Sequence, residues 1–327
     1  MIIDKGGVAD GTSKTGSGML GLFRPSHERA VVKYCLEFYR MLQDKGYNIG
    51  LEQNGGLNLA TTKDRLISLT RRANRYKPTG LECHVLTRQE ISEFHPYLFT
   101  EDLQGAIWVP EDSMVNPKKV SEVLAHLSYQ GGARFVGNCE LQKVITNSSG
   151  ASILLPGPKN VENCRVMGVQ TNLGHIECEY FVNCAGIWAR SIGKLSDPTV
   201  KVPICPAEHY FLSFKRIDEI ADKPLPTVRD YDNHIYLRRI RDSFLMGAFE
   251  PKARPWRYVK QQQQKSQYYY LIEFYSKIYY ILCPFIYSLR SGAMAKTHKP
   301  GIEGMPTEIS EEQWYHMLPF LTSATNR

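Results

Sequence analysis

Apolar side chains at Val31, Tyr34, Cys35, Phe38, Met41 and Leu42 recur at helical spacing, and Gly46 supplies a C-cap, so residues 27–46 read as a helix. A second amphipathic helix follows over 63–76. A short third helix opens on a Thr87–Glu90 capping box and stops at Pro96. The fourth is well punctuated: Asn116 as N-cap, Pro117 as first helical residue, Gly131 and Gly132 at the end. Between the first two helices, 49–62 reads as two short strands around Asn54, Gly55 and Gly56, a hairpin signal.

Strands are predicted at 133–136 and 139–147, followed by a loop rich in Gly, Pro, Ser and Asn over 148–163. Residues 165–186 read as a hairpin turning at Asn172, Leu173 and Gly174. Its second arm runs into the apolar stretch Tyr180–Phe181–Val182, taken as a buried strand, ends in a glycine turn and leads into a helix at 188–193. Strands at 207–214, 234–239 and 243–250 predict a separate antiparallel sheet.

Past Trp256 the pattern changes. Four glutamines at 261–264 precede a segment crowded with tyrosine over 267–289. A membrane span, a buried segment and a foreign insertion all fit its apolar length, with Glu273, Lys277 and Pro284 against the first. Insertion is the favoured reading. A last helix is expected at 310–321, with Ser310 and Gln313 forming its capping box.

Composition narrows the class. At 327 residues, with 43% hydrophobic and 22% charged side chains, the chain reads as a soluble globular protein of about two domains. The formal charge of +7 is spread thinly, without an Arg/Lys stripe interleaved with aromatics, so no nucleic-acid partner is expected. Eight scattered cysteines show no zinc-ligand spacing, so no metal is expected and a reducing compartment is the natural reading.

Neither a secretory segment nor an Arg-rich presequence is visible at the N-terminus, which reads as mid-strand; the expectation is a fragment. After MIIDKGGVAD comes GTSKTGSGML at 11–20. Such a loop of small residues serves either as a phosphate cradle, because backbone N–H groups can approach an anion closely, or as a plain surface turn.

Taken in order, IIDKGGVADGTSKTGSGM at 2–19, KDRLISL at 63–69, LQGAIWVPEDSMV at 103–115, GHIECEYFVNCAGIWA at 174–189, PAEHYFL at 206–212 and SEEQWYHMLPFL at 310–321 carry a resemblance. The chain resembles the flavin-dependent amine dehydrogenase family that includes dimethylglycine and sarcosine dehydrogenases. The resemblance implies an α/β, FAD-binding Rossmann-type (DAO-like) fold, incomplete here, with an antiparallel-sheet substrate domain. It assigns 1–48 and 101–200 to the FAD-binding domain, 49–100 and 201–256 to a substrate-type domain, 257–299 to a Tyr/Gln-rich insert and 300–327 to a C-terminal helical remnant. The GxGxxG fingerprint that should precede Asp4 by about twenty residues is not in the chain.

The resemblance also implies site residues. Asp4 matches the acid that accepts hydrogen bonds from the adenosine ribose, and Gly11, Thr12, Ser13 and Lys14 match the stretch beside the flavin and pyrophosphate. The dehydrogenases carry a Trp–His pair there, the His linking covalently to flavin. Lys14 and Thr15 stand in its place, so that link cannot form at Thr15 and any FAD is noncovalent. Cys184, Ala185 and Gly186 match a turn approaching the dinucleotide, although tight strand-to-helix packing would need the same glycine. Trp188 is expected to pack over that turn, and Leu141 matches an apolar residue against adenine or is simply core. Catalytic candidates are His209, holding a substrate carboxylate or deprotonating the amine, and Tyr236 as a hydrogen-bond partner in the same cavity. Each is also an ordinary strand residue. Asp112 reads as a turn-forming acid.

Two functions follow as expectations: a noncatalytic regulatory member, or a dehydrogenase oxidising a small N-methyl amine. The regulatory member's implied partner is the catalytic subunit of pyruvate dehydrogenase phosphatase, in the mitochondrial matrix. No membrane partner is expected.

Overall fold

Strand β1 (Ile2–Ile3), a 3-10 turn (Thr12–Thr15) and β2 (Met19–Leu20) lead into α1 (Ser26–Asp44) in the computed structural model, which describes residues 1–147, 164–214, 217, 220, 223–249, 255 and 321–322. Next come β3 (Gly56–Ala60), α2 (Lys63–Tyr76), β4 (His84–Leu86), α3 (Arg88–Phe94), β5 (Gly105–Val109) and β6 (Ser113–Met114). Helix α4 (Pro117–Gln130) precedes β7 (Phe135–Val136), β8 (Leu141–Thr146), β9 (Val166–Thr171), β10 (Gly174–Glu177) and α5 (Ala189–Gly193). The order closes with β11 (Tyr210–Phe214), β12 (Thr227–Asp230), β13 (Ile235–Ile240), β14 (Ser243–Ala248) and β15 (Leu321–Thr322).

These elements form two units, Met1–Gly16 with Asn116–Ala207, and Ser17–Val115 with Glu208–Arg327. Residues 17–48 and 101–115, expected in the cofactor domain, fall in the second.

Helix boundaries follow local chemistry. Thr62 accepts from the Arg65 N–H at the start of α2, Thr87 and Glu90 close their capping box on α3, and Asn116 accepts from the Lys119 N–H ahead of Pro117 on α4. In the first unit β1 pairs in parallel with β7, and β10, β9 and β8 make an antiparallel sheet turning at Asn172–Leu173. The second unit is built on an eight-stranded sheet, β15-β11-β14-β13-β12-β3-β5-β4, antiparallel except for the β12–β3 pair.

Alternation along those strands makes two cores. Leu57, Leu59, Val228, Ile235, Leu237 and Met246 gather on one face with Ile91 of α3. On the other, Ala60, Ile107 and Val109 pack with Leu36 of α1 and Leu69 and Ala73 of α2. Each fully buried Leu or Ile contributes roughly 1.5–3 kcal/mol.

Five expectations are corrected. Residues 178–185 form no strand, and Tyr180 and Val182 are 86% and 77% exposed, because no neighbouring strand pairs with them among the described residues. Residues 49–53 do not form a hairpin with β3, which lies between β12 and β5; Glu52 bridges to Met114 instead. Gly55 is needed for another reason. Its φ is +76°, and a Cβ there would lie 1.7 Å from the Trp108 ring. The strands at 207–250 are not a separate sheet, since β12 joins them to β3.

On α1 the buried side chains are Arg29, Leu36 and Leu42, while Val31, Tyr34 and Met41 face solvent. Leu321 is in a strand paired with β11 rather than at a helix end. The loop at 148–163, the insert at 257–299 and residues 310–320 of the expected last helix lie outside the described residues. Among the described residues, no helix is long and apolar enough to cross a membrane and no cluster of His, Cys, Asp or Glu is placed to hold a metal ion.

Candidate functional site

In the first unit the loop after β1 and the turn before α5 meet. Asp4, exposed at the end of β1, accepts from the Gly6 N–H at 2.8 Å through Oδ1, while its backbone carbonyl accepts from the Cys139 N–H. The Lys5 ammonium lies 4.6 Å from the centroid of the Trp188 ring, a cation–π contact. A Cβ on Gly11 would lie 3.7 Å from Cζ3 of that ring, so the two backbones come together through the indole.

Thr12, Ser13 and Lys14 form the 3-10 turn, which Thr15 closes by donating its hydroxyl to the Thr12 carbonyl at 3.1 Å. The Thr15 side chain thus serves its own turn. Leu141 begins β8, half-buried opposite Thr171.

Asn183 builds the second turn. Its Oδ1 accepts from the Ala185 N–H at 3.3 Å, and its Nδ2 donates to the Ala189 carbonyl at 3.0 Å. Gly186 has φ +52°, and a Cβ there would meet nothing within 4 Å among the described residues, so glycine is required for the backbone angle rather than for close packing. Cys184 is exposed and Trp188 half-buried. Sequence reasoning missed Asn183, although an Asn just before a Gly turn is a local signal for such a bond.

The second unit holds the catalytic candidates, and they touch. His209 Nε2 lies 3.0 Å from the Tyr236 hydroxyl, with the rings stacked at 5.7 Å. Phe249 also stacks on His209, at 4.7 Å. Burial pushes the His209 pKa below the ordinary histidine value, so the imidazole is neutral at pH 7 and offers one donor and one acceptor.

Tyr236 fits because Gly247 stands opposite on β14; a Cβ there would lie 2.1 Å from Tyr236 Cζ. Gly247→Ala is therefore expected to displace Tyr236, break the His209 bond and destabilise by about 1–3 kcal/mol. Urea unfolding measures the loss, and an NMR titration should show the His209 pKa rising toward 6.5.

Asp112, in the same unit, is fully buried. It pairs with Arg229 at 2.8 Å and accepts from the Leu22 N–H at 2.7 Å. The expected turn acid is a buried anchor. Arg238 and Phe249 were also missed; alternation along β13 places Arg238 on the face of Tyr236.

The pattern of the FAD dependent oxidoreductase family matches residues 1–307, and the chain belongs to that family. Its fold is accordingly the α/β, FAD-binding DAO type with antiparallel strands in the second unit. Among curated proteins it is 32% identical over 257 residues to the mouse mitochondrial pyruvate dehydrogenase phosphatase regulatory subunit, covering 78% of this chain and 28% of that protein. It is 31% identical to human mitochondrial sarcosine dehydrogenase (78% of this chain, 27% of that protein). Identity to rat mitochondrial dimethylglycine dehydrogenase is 25%, over 78% and 28% of the two chains. The chain thus spans under a third of the length of these relatives. Among solved structures, L-proline dehydrogenase from P. horikoshii superposes with a TM-score of 0.70 at 20% identity, over 86% of this chain and 70% of that one.

The family implies FAD. One residue of the first unit fits the ribose of that group: the Asp4 carboxylate is exposed at a strand end, with Oδ2 unengaged among the described residues and able to accept from a hydroxyl. Among the described residues, no atom lies within 4 Å of where a Cβ on Gly186 would stand.

Proposed function

We propose that this chain is the flavoprotein-fold region of a noncatalytic regulatory subunit of pyruvate dehydrogenase phosphatase in the mitochondrial matrix, which binds the catalytic subunit and alters its response to magnesium. The observation that carries the reading is Lys14–Thr15 in the place where the amine dehydrogenases hold their Trp–His pair. Thr15 has no imidazole nitrogen to give, and its hydroxyl is committed to the Thr12 carbonyl. FAD is then held without a covalent link. Asp4 would take the ribose, the Gly11–Lys14 turn and the Cys184–Gly186 turn would line the dinucleotide, and Leu141 and Trp188 would flank it. The identity to the mouse regulatory subunit supports this reading.

A magnesium titration of the phosphatase catalytic subunit tests it. Added chain should bind in a pull-down and shift the half-maximal magnesium concentration at least twofold. No binding and no shift would overturn the proposal.

The His209–Tyr236 contact favours a second reading, a dehydrogenase of a small N-methyl amine with noncovalent FAD. Bound FAD would supply the hydride acceptor. The chain's share is a neutral imidazole at pH 7, able to take a proton from a substrate ammonium while Tyr236 holds the ring in place. Oxidation of sarcosine with an artificial electron acceptor by FAD-loaded protein would establish this reading over the first.

A further inference from the structure

The face of the large sheet opposite Tyr236 does not fill its core completely. Between that face and the segment joining α3 to β5 lies a cavity of about 210 Å³. Leu59 of β3, Ile235 of β13 and Met246 of β14 make its floor, none more than 5% exposed, and Phe99 stands in its wall. Ile235 and Tyr236 are successive on β13, so their side chains point to opposite faces, and the sheet itself separates the cavity from the His209–Tyr236 contact. Cavities of about 150 Å³ with aliphatic walls already admit a single aromatic ring.

Two carboxylates line this apolar space. Asp230 is 5% exposed; Oδ1 accepts from the Asp232 and Asn233 N–H groups at 3.0 and 3.1 Å, and Oδ2 from Asn233 Nδ2 at 2.7 Å. Those donors are neutral, so they fix the carboxylate in place without balancing its charge. Asp102, exposed at the mouth, has no ion pair among the described residues. Burial above all, and then the charges of Asp230 and Glu101, raise its pKa above the ordinary aspartate value, against its own backbone N–H and Arg88. Arg88 donates instead to the Glu101 carbonyl, at 3.1 Å from Nη1. A hard divalent ion would call for about six or more oxygens, and among the described residues no cluster of three potential ligands exists. Unbalanced negative charge over a hydrocarbon floor suits a cation that carries hydrocarbon with it.

We propose that this cavity is a second ligand site, distinct from the His209–Tyr236 pair, which takes a small organic ammonium: the charged head at Asp102 and Asp230, and an apolar body of one ring's size against Leu59, Ile235 and Met246. An occupant joins the α3–β5 segment to the sheet and stabilises the second unit. The site involves neither flavin nor phosphatase and stands under either reading of the chain's function.

Calorimetry on the purified chain at pH 7 tests it with benzylamine, whose ring and primary ammonium match the two parts of the site. Benzylamine should bind saturably, and benzyl alcohol, which keeps the ring without the charge, at least tenfold more weakly. Asp102→Asn should lose tenfold or more in benzylamine affinity. Excess sarcosine, whose carboxylate the two acids repel, should leave benzylamine binding unchanged. In protein carrying carbon-13 at its methionine methyls, benzylamine should shift the Met246 resonance, assigned through Met246→Leu, because that side chain has no exposure of its own. Absence of saturable binding overturns the proposal, as does unchanged affinity in Asp102→Asn, displacement by sarcosine, or a Met246 resonance that stays fixed at saturation. If Asp102→Asn does not fold, equal binding of benzyl alcohol and benzylamine by the parent chain overturns it.

Discussion

Replacing Asp112 with alanine should cost about 3–5 kcal/mol of stability, because it breaks a buried ion pair from one side. Asp112 is fully buried and performs two tasks. One carboxylate oxygen accepts from the Leu22 N–H, tying the segment after β2 to the turn after β5. The other pairs with Arg229 on β12, whose side chain is 20% exposed. The fit is close on both sides: a Cβ on Gly56 would lie 2.3 Å from Oδ2, and one on Gly21 would lie 2.4 Å from Arg229 Nη2. Alanine would leave a half-sequestered guanidinium and a buried amide without these partners.

Asp112→Asn should lose less, because the amide oxygen still accepts from Leu22. Combining Asp112→Ala with Arg229→Met should recover part of the loss, since the unpaired cation goes too. Urea unfolding at pH 7 measures all three. A loss below about 1 kcal/mol for the alanine variant would mean that the pair contributes no more than a surface ion pair does.

The same pair explains why β12 was not legible in the sequence. Thr227–Asp230 puts an arginine and an aspartate in a four-residue strand, and strand patterns are recognised by apolar or alternating residues. Here the charges are matched from elsewhere: Arg229 by Asp112, and Asp230 by the N–H groups of Asp232 and Asn233. Asn54–Gly55–Gly56 misled in the opposite sense. It has hairpin composition, but those glycines make room for Trp108 and Asp112, more than fifty residues away.

Helices α2, α3 and α4 were readable because their caps are local, within three residues of the chain. Which face of α1 is buried, and whether Tyr180 and Val182 are covered, depends on neighbours that no local period encodes. The site divides in the same way. Asp4, Gly11 and Gly186 sit at punctuation that a sequence displays, and resemblance assigned them roles. That His209 touches Tyr236 and Phe249, and that Arg238 has no carboxylate in contact among the described residues, are properties of how β13 and β14 register and pack.

Acidification should begin to destabilise the second unit near pH 6.5, before carboxylates titrate, with a loss from one buried histidine of about 3 kcal/mol between pH 6.5 and 4. The cause is His95. It closes the end of α3, 1% exposed, with its ring stacked on Phe244 at 5.9 Å and edge-on to Tyr97 at 6.3 Å. Nδ1 is buried without an acceptor among the described residues, and burial outweighs the backbone hydrogen bond that favours a protonated ring. Burial lowers the pKa from 6.5 to about 4. In the unfolded chain the histidine binds a proton below about pH 6.5, whereas in the folded chain it stays neutral down to about pH 4. The unfolded state therefore holds more protons throughout that window, and stability falls as pH falls. Above pH 6.5 both states are neutral and the contribution is flat.

His209, also held below the ordinary value by burial, adds a smaller slope of the same sign. At Asp232 burial opposes ionisation, but hydrogen bonds from Thr61 and Arg65 outweigh it and lower the pKa; at Glu90 the bonds from Thr87 do the same. Both carboxylates lose their contributions only at lower pH. Urea midpoints at pH 7, 5.5 and 4.5 should follow this curve, and His95→Leu should remove most of it. An unchanged slope in His95→Leu would place the proton uptake elsewhere. If the slope persists there but vanishes in His209→Asn, the titrating group is the histidine bonded to Tyr236 rather than that of the core.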